Sequence, residues 1–137
     1  MTLRAIASVA MALGSTMACG PSGPKRYEMP VDTDTYLIRV SWTPTHAYAR
    51  EATVFRIVVR DKKTKEPIEN GEGQIFATNK DGINTFDSFT PAPESGTYTA
   101  KLKFLTAGDW ALGLRFRRDS SSRLERNDWR QSVLNER

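Results

Sequence analysis

Three side chains outside the first 18 residues offer soft metal-binding atoms in this chain of 137 residues: Cys19, Met29 and His46. A soft copper(I) centre takes thiolate, thioether or imidazole ligands, whereas carboxylates suit harder ions. His46 lies in Pro44-Thr45-His46-Ala47-Tyr48, and its nearest potential partners in sequence are Met29, Asp32 and Asp34. One reading makes His46 and Met29 metal ligands. The other makes His46 a surface-loop histidine, and it leads to the expectation of no metal and no cofactor. A single Cys and a single His exclude a zinc-finger array, a disulfide framework and a multi-histidine centre built by one copy.

Reactive constellations are missing as well. There is no Gly-x-Ser-x-Gly, and neither Cys19 nor His46 has a triad setting. A glycine loop for phosphates is absent. Asp32, Asp34, Asp81 and Asp87 do not follow the twelve-residue calcium loop, which also needs a closing Glu. The expectation is a protein that is not an enzyme and has no catalytic residues.

Charge is the next chemical signal. The formal net charge is +4, yet residues 25–110 carry twelve basic and twelve acidic groups. The excess sits in residues 111–137, where every cation is arginine: Arg115, Arg117, Arg118, Arg123, Arg126, Arg130 and Arg137. Arginine binds carboxylate and phosphate as a two-pronged fork and tolerates interfaces better than lysine. The first six of these are the candidate contacts for an acidic protein surface or lipid headgroups. A solvated strand face and a soluble tail is the alternative reading.

The opening segment reads as an address. Arg4 supplies a positive start, Ala5–Leu13 is an apolar run without charge, and small residues follow to Ala18-Cys19. That is the layout of a secretory signal peptide. It is short for a spanning helix, which needs about 20 apolar residues. Thr16-Met17-Ala18-Cys19 resembles the lipobox of bacterial lipoproteins, which implies Cys19 as the lipidated first residue of a mature chain. Gly20-Pro-Ser-Gly-Pro24 then serves as a spacer. An ordinary signal cleaved nearby, or an uncleaved anchor, are the alternatives. Any of these puts the rest of the chain outside the cytoplasm and away from nucleic acid.

The remaining elements are strands. Residues 20–35 show no periodic apolar face and read as a flexible tether. After it, period two takes over: Tyr36, Ile38, Val40 and Trp42; Phe55, Ile57 and Val59; Gln74, Phe76 and Thr78 against Ile75 and Ala77; Tyr98, Ala100, Leu102 and Phe104; Trp110, Leu112, Leu114 and Phe116. Such alternation marks strands with one buried face. Clusters such as Asp61–Pro67, Asn79-Lys-Asp-Gly82 and Glu94-Ser-Gly96 punctuate them as turns. Trp129, Gln131 and Val133 suggest a closing strand, although Trp129 and Val133 also have helical spacing. The expected organisation is a signal peptide over 1–18, a tether over 19–35 and an antiparallel β-sandwich of six to eight strands over 36–137.

Three stretches carry a family resemblance. They are Phe55-Arg-Ile-Val-Val-Arg-Asp61 with Pro67-Ile68, Gly96-Thr-Tyr98-Thr-Ala-Lys-Leu102, and Thr106-Ala-Gly-Asp-Trp110-Ala-Leu-Gly-Leu114. Together they resemble the YtkA-like (FixH-like) domain, an immunoglobulin-like sandwich of bacterial envelope proteins. The resemblance implies a lipoprotein or membrane-tethered accessory module, distantly similar in architecture to periplasmic copper carriers of the CopC type. Those carriers use several His, or His with Met clusters, near the mature N-terminus; here only His46 and Met29 correspond. The expected function is therefore a non-catalytic, extracytoplasmic interaction module, held to a bacterial membrane through its N-terminal lipid and docking on an acidic envelope or membrane partner. The alternative is a copper-carrier-like protein using His46 and Met29.

Overall fold

A computed structural model of the chain describes residues 27–137, and these fold into two stacked sheets. The strands in chain order are β1 (Met29–Pro30), β2 (Tyr36–Thr43), β3 (Ala47–Tyr48), β4 (Ala52–Asp61), β5 (Glu72–Asn79), β6 (Asn84–Ser88), β7 (Thr90–Pro91), β8 (Thr97–Lys103), β9 (Gly108–Arg117) and β10 (Glu125–Leu134). Seven of these have five residues or more, within the expected range; β1, β3 and β7 are two-residue edge pairings. One sheet has the order β1-β2-β4-β8-β7 and the other β3-β10-β9-β5-β6. All pairings are antiparallel except the short β3–β10 contact.

The alternating residues meet between the sheets. Ile38 and Val40 of β2, Phe55, Ile57 and Val59 of β4, and Leu114 and Phe116 of β9 are wholly buried. Burying one such side chain contributes roughly 1.5–3 kcal/mol, which is why the period-two pattern dictates the faces. In β5 the inward residues are Ile75 and Ala77, so Phe76 points out of the sandwich. Tyr98 and Phe116 pack edge-to-face at 5.6 Å, and Phe104 does the same with Trp110 at 5.2 Å. The tail is a ten-residue strand, β10, with Val133 in the core. The helical alternative fails because Trp129, Gln131 and Val133 share the inward face opposite Leu112, Trp110 and Gly108.

One expectation is corrected. Of the tether over 19–35, the stretch from Met29 onward is laid against the sandwich. Met29 and Pro30 pair with Val40 and Arg39, Val31 is buried, and the Val31 amide donates to the Ile38 carbonyl at 2.9 Å. Asp32 accepts the Ile38 amide at 3.0 Å and Glu125 accepts the Thr35 amide at 2.9 Å. Side-chain acceptors thus replace the apolar periodicity that would have announced a strand.

Candidate functional site

Two of the soft donors lie among the described residues. His46 is exposed on the loop between β2 and β3, while Met29 is half-buried against the core edge, opposite Val40. The two aspartates nearest them are already engaged, Asp32 with Arg39 at 2.8 Å and Asp34 with Arg123 at 3.1 Å. Among the described residues no group of three or more His, Cys, Asp or Glu side chains is placed to hold a metal. Asp81 stands in the Asn79–Gly82 turn, and Asp87 accepts the Lys101 amide at 2.8 Å. Cys19, with the signal and lipidation assignments, lies outside the described residues.

The arginines fall into two classes. Arg117 pairs with Glu72 at 2.9 Å, Arg118 with Asp61, Arg123 with Asp34, and Arg137 with Glu51 at 3.1 Å. The acids come from the neutral first part of the chain, so most of the local excess is cancelled in space. Exposed pairs of this kind contribute about 0–1 kcal/mol each, and they lower the field that any partner would feel. Arg115 and Arg130 have no carboxylate within ion-pair distance among the described residues.

Four of the six candidate arginines, Arg115, Arg117, Arg126 and Arg130, stand on the outer face of the β3-β10-β9-β5-β6 sheet. Arg115 of β9 stands directly opposite Arg126 of β10. Both guanidiniums lie against the ring of Phe76, at 4.9 and 4.8 Å from its centre. Arg126 also forks onto Asp128, with both N–H···O distances 2.8 Å. Arg130 follows on the same face of β10 two residues beyond Asp128, opposite Ala111. Like charges facing each other across a ladder destabilise it. A cation on a ring face returns roughly 0.5–1 kcal/mol at an exposed site, which offsets that cost without neutralising Arg115.

The ring itself is set by a glycine. Phe76 is opposite Gly113, and a Cβ there would stand 2.4 Å from the Phe76 Cζ and 2.4 Å from the Asp128 Oδ1. The bare backbone lets the ring lie down on β9 between the arginines. On the other side Phe76 pairs with Phe86 of β6, which is 67% exposed. Phe76, Phe86, Arg115 and Arg126 line a shallow groove of about 350 Å³. Reading the sequence for charge missed both phenylalanines. Counting outward from the Asn79–Gly82 turn would have paired them, since Thr78 faces Asn84 and Phe76 then faces Phe86.

No family model and no curated protein sequence matches the chain. Solved structures do. FetP from uropathogenic Escherichia coli has a TM-score of 0.57 at 14% identity, over 82% of this chain and 98% of that one. A DUF4426 family protein from Pseudomonas aeruginosa has a TM-score of 0.61 at 10% identity, over 80% and 97%. A copper-reconstituted protein from Campylobacter jejuni has 0.52 at 10%, over 78% and 96%. At these identities the likeness is one of fold: a β-sandwich shared along almost the whole length of each neighbour.

Proposed function

We propose that this chain is a non-catalytic, extracytoplasmic sandwich of the YtkA-like (FixH-like) kind, tethered to a bacterial membrane through Cys19 and docking on an acidic envelope or membrane protein. The observation that carries this reading is the outer face of the β3-β10-β9-β5-β6 sheet, where Arg115 and Arg126 lie against Phe76 next to the exposed Phe86, with Arg130 further along β10. Charge held off the core and unpaired at Arg115 is available to a partner. The test is association with membrane-complex partners in intact cells, measured at low and high salt. Salt-sensitive capture that weakens in a combined Arg115→Ala, Arg126→Ala and Arg130→Ala variant supports docking; salt-independent capture overturns it.

A second reading, copper carriage through His46 and Met29, has its own support. A copper-bound variant of FetP (TM-score 0.51, 14% identity) and the copper-reconstituted Campylobacter jejuni protein share the fold, and these likenesses favour carriage over docking. The donor set favours docking, because one exposed imidazole and one thioether packed at the core edge do not fit a copper centre made by a single copy. Titration of the protein with Cu(I) and Cu(II) separates the two. Tight stoichiometric binding that disappears in His46→Ala would establish carriage.

A further inference from the structure

We infer that the groove between Phe86, Phe76, Arg115 and Arg126 is a recognition site for an acidic protein segment that presents a carboxylate beside an apolar side chain. The inference rests on the docking reading above and narrows six candidate arginines to two. Four observations carry it. Arg115 and Arg126 are directly opposed and share one ring, so a carboxylate placed beside Arg115 would supply the ion pair that the domain gives only to Arg126. Only Arg126 has an internal carboxylate, Asp128, which fixes the fork and leaves Arg115 as the unneutralised member. Among the described residues Phe86 is the most exposed large apolar residue within a strand, at 67%, and it borders the same groove. Gly113 keeps the floor flat, so that Phe76 can lie between cations and groove.

Charge complementarity selects the occupant. An anionic bilayer is attracted by clusters of about four to eight cations near its surface. This groove has two cations, one of them already paired, next to two aromatic rings. A mixed apolar and carboxylate segment matches that inventory, because the ring takes the apolar side chain and Arg115 takes the carboxylate. Arg117, Arg118 and Arg123, each bound to its own acid, contribute nothing specific.

The experiment is a titration of the full chain, ¹⁵N-labelled, with three probes: an acetylated hexapeptide of alternating glutamate and phenylalanine, polyglutamate, and phosphatidylglycerol vesicles. The expected result is peptide-induced shifts at Phe76, Phe86, Arg115 and Arg126, weakened at least tenfold in Arg115→Gln and in Phe86→Ser. These two surface variants leave the core untouched, and an unchanged spectrum elsewhere verifies it. Equal binding of polyglutamate, spread over all the arginines of β9 and β10, would overturn the groove while leaving docking intact. Vesicle binding without peptide binding would overturn it in favour of lipid. No binding of any probe would overturn both the groove and the docking reading.

Discussion

The Tyr98 hydroxyl donates to the Ile68 carbonyl at 2.6 Å, thirty residues back along the chain, and the same oxygen accepts the Gly71 amide at 2.9 Å. Tyr98 thereby ties the loop before β5 to β8 in the opposite sheet, in the manner of a tyrosine corner. Burial and the nearby Glu69 raise its pKa and the Gly71 amide lowers it, with burial prevailing, so the hydroxyl stays protonated at neutral pH.

Tyr98→Phe keeps the ring packing with Phe116 and Phe89 and removes both bonds. Leaving the Gly71 N–H and the Ile68 carbonyl unsatisfied costs about 1–3 kcal/mol. For a domain of this size that is a fall in Tm of roughly 4–8 °C per kcal/mol. Thermal unfolding measures it. A Tm equal to that of the parent would show that the corner does not hold the loop.

Two glycines beneath aromatic rings should respond differently to the same substitution. A Cβ at Gly71 would stand 2.2 Å from the Phe116 Cζ, and Phe116 is wholly buried in a packed ring cluster. A Cβ at Gly113 meets the Phe76 ring, which lies on the outer face and can swing toward solvent. Gly71→Ala should therefore cost about 1–3 kcal/mol as an overpacked core. Gly113→Ala should cost less and should instead displace Phe76 from Arg115 and Arg126. Unfolding curves and the Phe76 ring-proton shifts report the two effects. Equal destabilisation would contradict this account.

Much of this architecture was legible because burial leaves a periodic trace. Tyr36, Ile38 and Val40, or Trp110, Leu112, Leu114 and Phe116, could only be strands with one inward face. The folded stretch from 29 to 35 left no such trace. Its fixings are polar and distant: the Asn127 amide group donates to the Asp32 carbonyl across 95 residues, and Arg123 reaches Asp34 across 89. Charge counting failed for the same reason. The arginine excess of the last quarter is real in sequence, but Arg117 finds Glu72 on the neighbouring β5, and Arg118 finds Asp61 at the end of β4 in the facing sheet. The groove was hidden because period two marks two faces without naming the inner one, and at Phe76 the larger residue is the outer one.

Asp61 should govern acid sensitivity at one end of the sandwich. Its carboxylate accepts the Thr64 and Lys63 amides at 3.0 and 2.8 Å and pairs with Arg118. The Thr64 amide first, then Arg118 and the Lys63 amide, lower its pKa from 3.8 to about 2. A depressed folded value means stabilisation that is complete above the unfolded pKa and is lost as pH falls from about 4 through about 2. Asp61→Asn should lower stability at pH 7 and flatten the dependence in that acid window. Unfolding midpoints from pH 2 to 7 test it; an unchanged slope would remove Asp61 from the account.

Glu125 should decide whether residues 31–35 stay folded. It is buried at the start of β10, where Oε1 accepts the Thr35 amide. Burial alone would raise its pKa. Hydrogen bonds from Thr33 and Thr35, with the charge of Arg123, outweigh burial and hold it below the ordinary 4.5. The stabilisation is therefore present above 4.5 and disappears as pH falls through the lower, folded value. Glu125→Ala should release the Thr35 amide to fast hydrogen exchange at neutral pH, while the Ile38 amide, bound to Asp32, stays protected. Glu125→Gln keeps an oxygen acceptor, so Thr35 protection should persist and lose its acid dependence. If Thr35 exchanged equally in all three proteins, the segment would be held by β1, Val31 and the contacts of Asp32 and Asp34, and the Glu125 carboxylate would have no part in it.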